Sequence, residues 1–595
     1  MSGTIIKVSG PTVVARGMEQ TRMFNRVAVG KTGLLGEVIR LRGGEATIQV
    51  YEDTTGLTLG EEVADAGEPL QVELGPGLLG SIFDGVQRPL NVMAAQQGDW
   101  IARGVTLPAL SRERRWTFTP TLRPGTAVVG GMCVGIIQET VKVEHRILVP
   151  PGLSGTVREI REGAFTVNEP IAWLDGDRSL TMLQRWPVRS PRPVAERLPP
   201  VVPFITGQRV LDMLFPIASG GTVIVPGGFG TGKTVVEQAL AKYAQADIII
   251  YIGCGERGNE MTEVLTEFPH LKDPTTGLPL MARTVLVINT SNMPVAARET
   301  SIYTGITMAE YYRDMGYAVA LMADSTSRWA EATREISARL EEMPGEEGYP
   351  TYLATKLAGF YERGGRVRCL GQAPSTASGQ ADRQEGARPE PVEGSVTIVS
   401  AISPPGGDFS EPVTQSSMQV AGGLWALDSD LAHRRHYPAI NWKRSFSLYT
   451  TLLDPWFQTQ VAQDWPQLRS ELSALLQKEE ELQEIVQLVG VDALQDQERI
   501  VLEVSRLIRE EYLRQSAFSE IDAACPLAKQ YWMLKAQLEF LRYCQTLLKK
   551  GRPIEELIAS PLRSELERMK ETPPDRCIQQ AQTMIEKMEQ ELAKP

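Results

Sequence analysis

Residues 222–241 have the sequence TVIVPGGFGTGKTVVEQALA, in which a glycine-rich turn joins an apolar strand to a predicted helix. The turn matches G-x-x-x-x-G-K-[ST], the pattern of a loop whose backbone N–H groups contact phosphate oxygens. Glycines permit the unusual φ angles of such a loop, and the helix that follows adds its positive N-terminal end. The stretch therefore predicts a nucleotide-binding loop formed by Gly227, Gly228, Phe229, Gly230, Thr231, Gly232, Lys233, Thr234 and Val235.

Four further stretches are almost entirely apolar, and all lie between residues 191 and 440. They are residues 247–253, 284–290, 317–324 and 395–402. Strands that are buried on both faces have this composition, which indicates a parallel sheet covered by helices. We therefore predict a central P-loop (RecA-like) parallel-sheet domain over 191–440. Within it, the polar residues 372–391 have no periodicity and are predicted to form a mobile loop.

The remaining sequence predicts three other domains and a connector. Short alternating segments that end in glycine indicate a small β-barrel over 1–70, and a turn-rich connector follows over 71–110. A second β-rich region, 111–190, is interpreted as a lobe inserted before the nucleotide-binding domain. Leu-, Glu- and Gln-rich segments with helical periodicity predict a helical bundle over 441–595. The expected protein is thus a multidomain α/β chain.

Composition and charge argue against several classes of function. The net charge of −12 over 595 residues argues against a nucleic-acid partner. The six cysteines form no CxxC pair, and the four histidines show no metal-ligand spacing. We find no signal peptide and no apolar run of about 18 residues that could span a membrane. We therefore expect a cytoplasmic location and a membrane role only through partner subunits.

The phosphate loop and an acidic residue at a predicted strand end together predict a site for Mg²⁺ and nucleotide. Lys233 is expected to reach the β- and γ-phosphates of ATP, or the β-phosphate of ADP, and Thr234 to bind Mg²⁺. Asp324 ends the apolar stretch 317–324, where ligands bind in open α/β sheets, and is predicted to hold Mg²⁺ directly or through water. The alternative is that Asp324 only caps the helix that follows.

A third feature, the pair of charged residues after strand 247–253, would distinguish a site that hydrolyses ATP from one that only binds it. Glu256 and Arg257 follow the predicted strand 247–253, where a carboxylate could polarise a water for attack on the γ-phosphate. Arg257 would either orient Glu256 or contact the phosphates. The competing interpretation is a surface ion pair in a loop. Spacing alone does not decide between these two.

Seven motifs, in this order, resemble the catalytic A subunit of V-type and archaeal A-type rotary ATPases. They are GPGLLGSIFDGVQRPL, GGFGTGKTV, GCGERGNEM, LMADSTSRWAEA, SPPGGDFSEPVTQ, HYPAINW and CPLAKQYWMLK. The resemblance covers nearly the whole chain. It implies that Glu256 is the general base, with Arg257 beside it, that Asp324 is the Walker-B acid, and that Arg328 supports the phosphate end of the site.

The same resemblance implies that Tyr437 and Phe518 pack against the adenine ring, although most aromatic residues are simply core. Region 111–190 is similar to the lobe that distinguishes V-type A subunits from F-type β subunits. Residues 488–504 look like the helix-turn-helix that pushes on the central stalk. That turn is strongly acidic in F-type relatives, whereas here acidic residues alternate with Ala, Leu and Gln.

The resemblance also implies partners. Leu448 occupies the position where the non-catalytic B-type subunit carries an arginine finger. The chain is therefore expected to form a hetero-hexamer with that subunit and to receive the arginine in trans. Central-stalk and peripheral-stalk subunits are expected as further partners. The function implied is ATP hydrolysis or synthesis coupled to proton or sodium translocation. Residues 375–391 depart from the family as an insertion of unassigned purpose.

Three rival functions remain for comparison. A secretion-system motor and a Rho-type RNA helicase belong to the same wider group of hexameric ATPases. The lobe at 111–190 argues against both, and a helicase also needs a basic, aromatic RNA-binding surface. A regulatory, non-enzymatic nucleotide-binding protein would have lost Lys233, Glu256 or Asp324, and all three are present.

Overall fold

The structure is a computed structural model that describes residues 2–98, 101–274, 276–371 and 392–593. The predicted mobile loop, 372–391, and the insertion at 375–391 lie outside the described residues. The multidomain layout expected from the sequence is confirmed: a β-barrel, a β-rich lobe, a parallel-sheet domain and a helical domain follow one another along the chain.

Six N-terminal strands form a closed barrel in the order β1-β2-β5-β4-β3-β6. Their side chains alternate between the buried interior and the surface because successive residues of a strand point to opposite faces. Branched apolar residues such as Val13, Val38 and Ile48 fill the interior. The strands are β1 Ser2–Ser9, β2 Thr12–Arg16, β3 Asn25–Val29, β4 Leu34–Arg42, β5 Glu45–Val50 and β6 Glu62–Pro69.

The connector and the lobe together contribute eleven strands and one helix. Two four-stranded antiparallel sheets form the lobe, in the orders β10-β13-β15-β16 and β12-β11-β9-β14, while β17 returns to pair with β7. The elements are β7 Gln71–Leu74, β8 Ile82–Phe83, α1 Leu90–Gln97, β9 Trp116–Pro120, β10 Ala127–Val128, β11 Cys133–Gln138, β12 Glu144–Leu148, β13 Gly155–Ile160, β14 Gly163–Phe165, β15 Ala172–Leu174, β16 Ser179–Leu180 and β17 Gln184–Pro187.

The lobe is joined to the nucleotide-binding domain by a buried polar cluster. Nδ1 of His145 lies 2.6 Å from a carboxylate oxygen of Glu139, and its Nε2 lies 2.9 Å from the Tyr311 hydroxyl. The Tyr312 hydroxyl also donates to Glu139. Because Tyr311 and Tyr312 belong to the nucleotide-binding domain, these contacts fix how the lobe sits on it.

The central domain contains the five predicted apolar strands within a larger mixed sheet. Its main path runs β28-β27-β21-β26-β24-β22-β23-β8. The strands are β18 Glu196–Leu198, β19 Pro203–Phe204, β20 Ile217–Ala218, β21 Thr222–Pro226, β22 Ile248–Cys254, β23 Thr284–Asn289, β24 Ala318–Asp324, β25 Gly365–Arg368, β26 Glu393–Ile402, β27 Gly423–Leu424 and β28 Phe446–Ser447. The helices are α2 Arg209–Leu214, α3 Lys233–Tyr243, α4 Gly258–Glu267, α5 Val295–Asp314, α6 Thr326–Arg339, α7 Leu353–Tyr361, α8 Pro412–Val420 and α9 Ser429–His433.

The central strands are apolar on both faces because each face packs against a different core. One face, which includes Val225 and Tyr251, shares a core with the C-terminal helices. The other face, which includes Ile224 and Ile250, shares a core with the lobe and the connector. Strands β21, β22, β23, β24 and β26 run parallel, so their carboxyl ends meet at one edge. This edge is where the predicted site residues lie.

The C-terminal domain is helical and packs beside that edge. It consists of α10 Thr450–Gln460, α11 Trp465–Val489, α12 Asp496–Ile508, α13 Leu527–Lys549, α14 Ile554–Ile558, α15 Pro561–Glu567 and α16 Pro574–Leu592. A π-helical turn, Arg509–Leu513, continues α12 and is followed by an irregular segment that returns toward the nucleotide-binding domain. No helix in the described residues has the length and apolarity needed to cross a membrane.

Candidate active site

The phosphate loop lies between β21 and α3, as the sequence predicts. Gly230 and Gly232 have φ angles of 76° and 90°, which residues with a Cβ atom rarely adopt. The first residue of α3 is Lys233, so the unpaired N–H groups of the helix face the loop. The ammonium of Lys233 donates to the carbonyls of Gly227 (2.9 Å) and Gly228 (3.0 Å). The loop thus brings several N–H groups and one cation to the same place.

Asp324 lies at the end of β24 and faces the loop. One of its carboxylate oxygens accepts from the Thr234 hydroxyl and from the Tyr251 hydroxyl, each at 3.2 Å. Helix α6 begins after Ser325, and no side chain caps its N-terminus. The structure therefore does not support the alternative in which Asp324 only caps this helix. A hydroxyl and a carboxylate in contact form a hard-oxygen pair suited to Mg²⁺.

Glu256 follows the adjacent strand β22 and is 9% exposed. Strand β22 pairs with β24, with Gly253 of β22 opposite Asp324, so Glu256 lies three residues beyond the level of Asp324 at the same edge of the sheet. Burial raises the pKa of Glu256 to about 7, and the charge of Asp324 contributes to this rise. Oε1 of Glu256 has no hydrogen-bond partner in the described part of the chain. A carboxyl in this environment is able to accept a proton near neutral pH.

A third acid lies beneath the loop, where the sequence reasoning did not place one. Glu237 lies one helical turn beyond Lys233 on α3 and is fully buried. Burial raises the pKa of Glu237 well above its usual range, and the charges of Asp324 and Glu256 raise it further. Burial also lowers the pKa of Lys233, although these acids oppose the change. The lysine-to-acid spacing of four residues was the available sequence signal.

The two predicted arginines do not form the ion pair that was the competing interpretation. Arg257 is exposed, and its guanidinium lies 5.3 Å from the ring centroid of Phe229. The salt bridges between described residues do not join it to Glu256. Arg328 instead pairs with Glu331 at 2.8 Å, and its side chain lies against Gly255. Its charge lowers the pKa of Glu256 in part, so Arg328 is electrostatically coupled to the predicted base.

The residues predicted for the site line one cleft of about 1220 Å³. All nine loop residues, Glu256, Arg257, Asp324, Arg328, Tyr437 and Phe518 line it. Tyr437 is 38% exposed and lies next to Gly232, whereas Phe518 is fully exposed. Exposed aromatic rings at the mouth of a cleft are available to pack against a planar ligand. The structure thus brings together every residue that the sequence analysis selected for the site.

Other lining residues were missed. Glu260 lies on α4 one turn beyond Glu256, a spacing that the motif GERGNE already contains. Residues 403–407, SPPGG, approach the loop from the end of β26, and their glycines were a signal that was quoted but given no role. The segment 514–517 reaches the cleft from the helical domain. No local pattern in the sequence indicates this last contribution.

Two further features bear on partners. Leu448 is 69% exposed, next to β28. Between α11 and α12, the turn presents Leu488, Val489 and Val491, which are 84%, 63% and 47% exposed. The turn is therefore apolar and exposed. This agrees with the sequence, in which the turn lacks the strongly acidic character of F-type relatives.

Four family models match successive parts of the chain. They are the beta-barrel domain (residues 5–67), the barrel-sandwich domain (107–189) and the nucleotide-binding domain (207–447) of the ATP synthase alpha/beta family, and the C-terminal domain of V and A type ATP synthase (454–558). The order of these models follows the four folded regions described above.

Curated relatives are similar over nearly the full length. The A subunit of an A-type ATP synthase from Methanospirillum hungatei is 57% identical over 96% of this chain and 95% of the relative. The chain belongs to the family of A-type and V-type ATP synthase A subunits, also called alpha chains. A V-type ATP synthase alpha chain of Thermoanaerobacter pseudethanolicus is 57% identical over 96% of this chain and 94% of its own. The A subunit of the A-type ATP synthase from Methanopyrus kandleri is 54% identical over 99% of this chain and 98% of its own.

Among solved structures, the assembled ATPase EscN of the enteropathogenic E. coli type III secretion system aligns with a TM-score of 0.63. The alignment covers 91% of this chain and 100% of that one, at 20% identity, and shows a shared fold. Membership of the A-subunit family identifies the chain as an ATP-hydrolysing and ATP-synthesising catalytic subunit of a rotary, ion-translocating ATPase. The secretion motor, the helicase and the regulatory protein are therefore set aside.

Proposed function

We propose that the cleft between the phosphate loop and the helical domain is where this subunit hydrolyses or forms ATP. The observation that carries the proposal is that Asp324 and Glu256 lie at the carboxyl ends of neighbouring parallel strands, near Lys233 and Thr234. The loop N–H groups and the Lys233 ammonium would hold the β- and γ-phosphates. To do so, Lys233 would exchange its two carbonyl acceptors for phosphate oxygens.

Glu256 would act as the general base. The carboxylate would take a proton from a water molecule while that water attacks the γ-phosphate in line. A pKa of about 7 balances the fraction of carboxylate against its strength as a base at neutral pH. Arg257 and Arg328 flank this end of the cleft and would stabilise the charge on the phosphate.

Thr234 and Asp324 are the residues that would hold Mg²⁺. Their oxygens lie 3.2 Å apart, and the described residues contain no group of three or more His, Cys, Asp or Glu that could bind a metal alone. The remaining ligands would be phosphate oxygens and water, as is usual for this ion. When bound, Mg²⁺ neutralises charge that develops on the β- and γ-phosphates.

Tyr437 and Phe518 line the same cleft and would pack on the adenine ring, with Tyr437 next to Gly232 of the loop. They come from the nucleotide-binding and helical domains respectively. A base between them would join the two domains, so binding and release of the nucleotide would move one relative to the other. We propose that this movement reaches the central stalk through the turn between α11 and α12.

The site as a whole requires a second chain. We propose a hetero-hexamer in which a non-catalytic B-type subunit supplies an arginine, since Leu448 stands where that partner carries one. Central-stalk and peripheral-stalk subunits complete the assembly, with no nucleic acid. The chain would lie in the cytoplasm at the membrane surface, attached through its partners.

The test is ATP turnover by the chain alone and with its B-type partner. An arginine supplied in trans contributes a factor of ~10³–10⁵ to the rate, so strong activity should require the mixture. Lys233→Ala should abolish tight Mg-ATP binding and activity of the mixture. Lys242→Ala, on the same helix but outside the cleft, is the matched control and should leave both intact. Equal activity of the chain with and without the partner would contradict the interfacial site.

A further inference from the structure

We call the part of the cleft that would hold the adenine ring the base end. It is formed in part by a segment of the helical domain that lies outside any helix or strand. Residues 514–518 line the cleft and follow the π-helical turn 509–513. They lie in no helix or strand. What holds this segment in place is a set of contacts with the start of α2 in the nucleotide-binding domain. We call Arg209, Gln515 and Asp522 the base-wall cluster.

Arg209, the first residue of α2, is fully buried and donates three hydrogen bonds to residues in or beside this segment. Its Nη1 donates to the Asp522 carboxylate at 2.6 Å. Its Nη2 donates to the Arg514 carbonyl at 2.7 Å, and its Nε donates to the Tyr512 carbonyl. Both carbonyls lie where the helical pattern ends and backbone acceptors are left free. The planar guanidinium fork is suited to several acceptors at once, which an ammonium is not.

Gln515 and Asp522 complete the attachment from the other side. The Gln515 side chain accepts from the backbone N–H of Arg209 at 2.6 Å and donates to the Gly207 carbonyl at 3.1 Å. The second oxygen of Asp522 accepts from the backbone N–H of Ser516 at 2.8 Å. Gln515 and Asp522 are 4% and 3% exposed. The cluster is therefore buried, and its polar groups satisfy one another across two domains.

The cluster is also joined to the other side of the base end. The backbone N–H of Gln515 donates to the carbonyl of Tyr437 at 2.8 Å. Both aromatic residues of the base end, Tyr437 and Phe518, are thus held through Gln515 or the segment that contains it. The phosphate end of the cleft does not depend on these contacts, because the loop and Asp324 are positioned by β21, α3 and β24.

We propose that Arg209, Gln515 and Asp522 are positioning residues for nucleotide recognition, which set the base end of the cleft independently of its phosphate end. The inference rests on the proposed function, since it requires that the cleft binds ATP. None of the three residues needs to touch the nucleotide. Their role is to hold Phe518 and Tyr437 at the separation that a purine ring requires.

The test compares two ligands by isothermal titration calorimetry with the full-length chain: Mg-ATP and Mg-tripolyphosphate, which lacks the base and the ribose. The variants are Asp522→Asn, which removes the charge that faces Arg209, and Arg209→Lys, which keeps the charge but loses the fork. Hydrogen bonds to charged groups contribute enough for a loss of roughly 10-fold or more in affinity for ATP. Affinity for tripolyphosphate should change less than about twofold.

Arg469→Lys is the matched control. Arg469 is also a buried arginine bound to α2, but at its other end, where it donates to the Met213 carbonyl and to Asp454. It does not line the cleft, and both affinities should be unchanged. A melting curve for each variant shows whether it is folded, and Asp522→Asn, the closest to isosteric, is the variant to use if Arg209→Lys unfolds.

The outcomes are separable. A selective loss of affinity for ATP supports the cluster's positioning role. An equal loss for both ligands, or no loss for either, in folded variants would overturn it while leaving the proposed function in place. If the unsubstituted chain binds neither ligand more tightly than Lys233→Ala does, the proposed function itself fails.

Discussion

Glu256→Gln should abolish turnover and, at the same time, stabilise the protein at alkaline pH. Glutamine keeps the shape of the side chain but accepts no proton, so hydrolysis should fall by a factor of ~10²–10⁴. Mg-ATP binding should remain, because the phosphates are held by Lys233 and the loop. In the unsubstituted enzyme, kcat/KM should rise about tenfold per pH unit up to about pH 7, where Glu256 becomes ionised, and then level off.

The stability gain follows from the same pKa. Burial moves the pKa of Glu256 from its ordinary 4.5 to about 7 in the folded chain, so the unfolded chain releases this proton first as the pH rises. Below pH 4.5 the carboxyl is protonated in both states and costs nothing. Above pH 7 it is ionised in both, and the folded state is penalised by about 3 kcal/mol. Glutamine does not ionise, so the variant escapes this penalty.

Differential scanning calorimetry at pH 5 and pH 8.5 tests this expectation. Glu256→Gln should unfold at nearly the same temperature as the unsubstituted chain at pH 5 and several degrees higher at pH 8.5. Glu335→Gln is a control that removes a half-buried carboxylate of α6, one that pairs with Arg339 and lies outside the cleft. If Glu256→Gln were equally or less stable at pH 8.5 and still hydrolysed ATP normally, the reasoning about a buried catalytic base would be refuted.

Three other substitutions follow from the structure. Asp324→Asn should weaken Mg-ATP binding more than binding of ATP in excess EDTA, because it removes the carboxylate beside Thr234; equal weakening would contradict a metal role. Phe518→Ala should raise the KM for ATP by roughly 10-fold through lost stacking, at ~1–3 kcal/mol per base, and leave kcat at saturation unchanged. Glu139→Gln should destabilise the lobe by about 1.5–3 kcal/mol, since it removes the charged acceptor that the buried His145 and Tyr312 contact. Burial raises the pKa of Glu139, but the charge of His145 lowers it below 4.5 overall. The stability it contributes is therefore present above pH 4.5 and lost as the pH falls, which calorimetry between pH 3 and 7 would measure; a flat profile would count against it.

The sequence predicted the phosphate end of the cleft because local rules govern that end. A loop, the helix after it and the last residue of an apolar strand are each set by a few consecutive residues. Asp324 and Glu256 could be placed from sequence because parallel strands present their carboxyl ends at one edge.

The base end was predicted only through the family resemblance. In the sequence, nothing distinguishes Phe518 from other aromatic residues. Its segment is held at the cleft by contacts with Arg209, some 300 positions earlier. No periodicity or spacing encodes such a contact. Glu237 was missed for a different reason: on a helix pattern, an acid four residues after a lysine indicates a surface pair, and only the packed structure shows that it is buried.

The connector strand β8 has a consequence for how the chain is made. Ile82 and Phe83 pair with Leu286 and Val287 of β23. A ribosome that adds about 5–20 residues per second needs on the order of 10–40 s to synthesise the intervening 200 residues. The N-terminal barrel closes on itself and is able to fold as it emerges, but the connector has to wait. During that interval its apolar residues are exposed, so a chaperone would have access to this segment of the nascent chain.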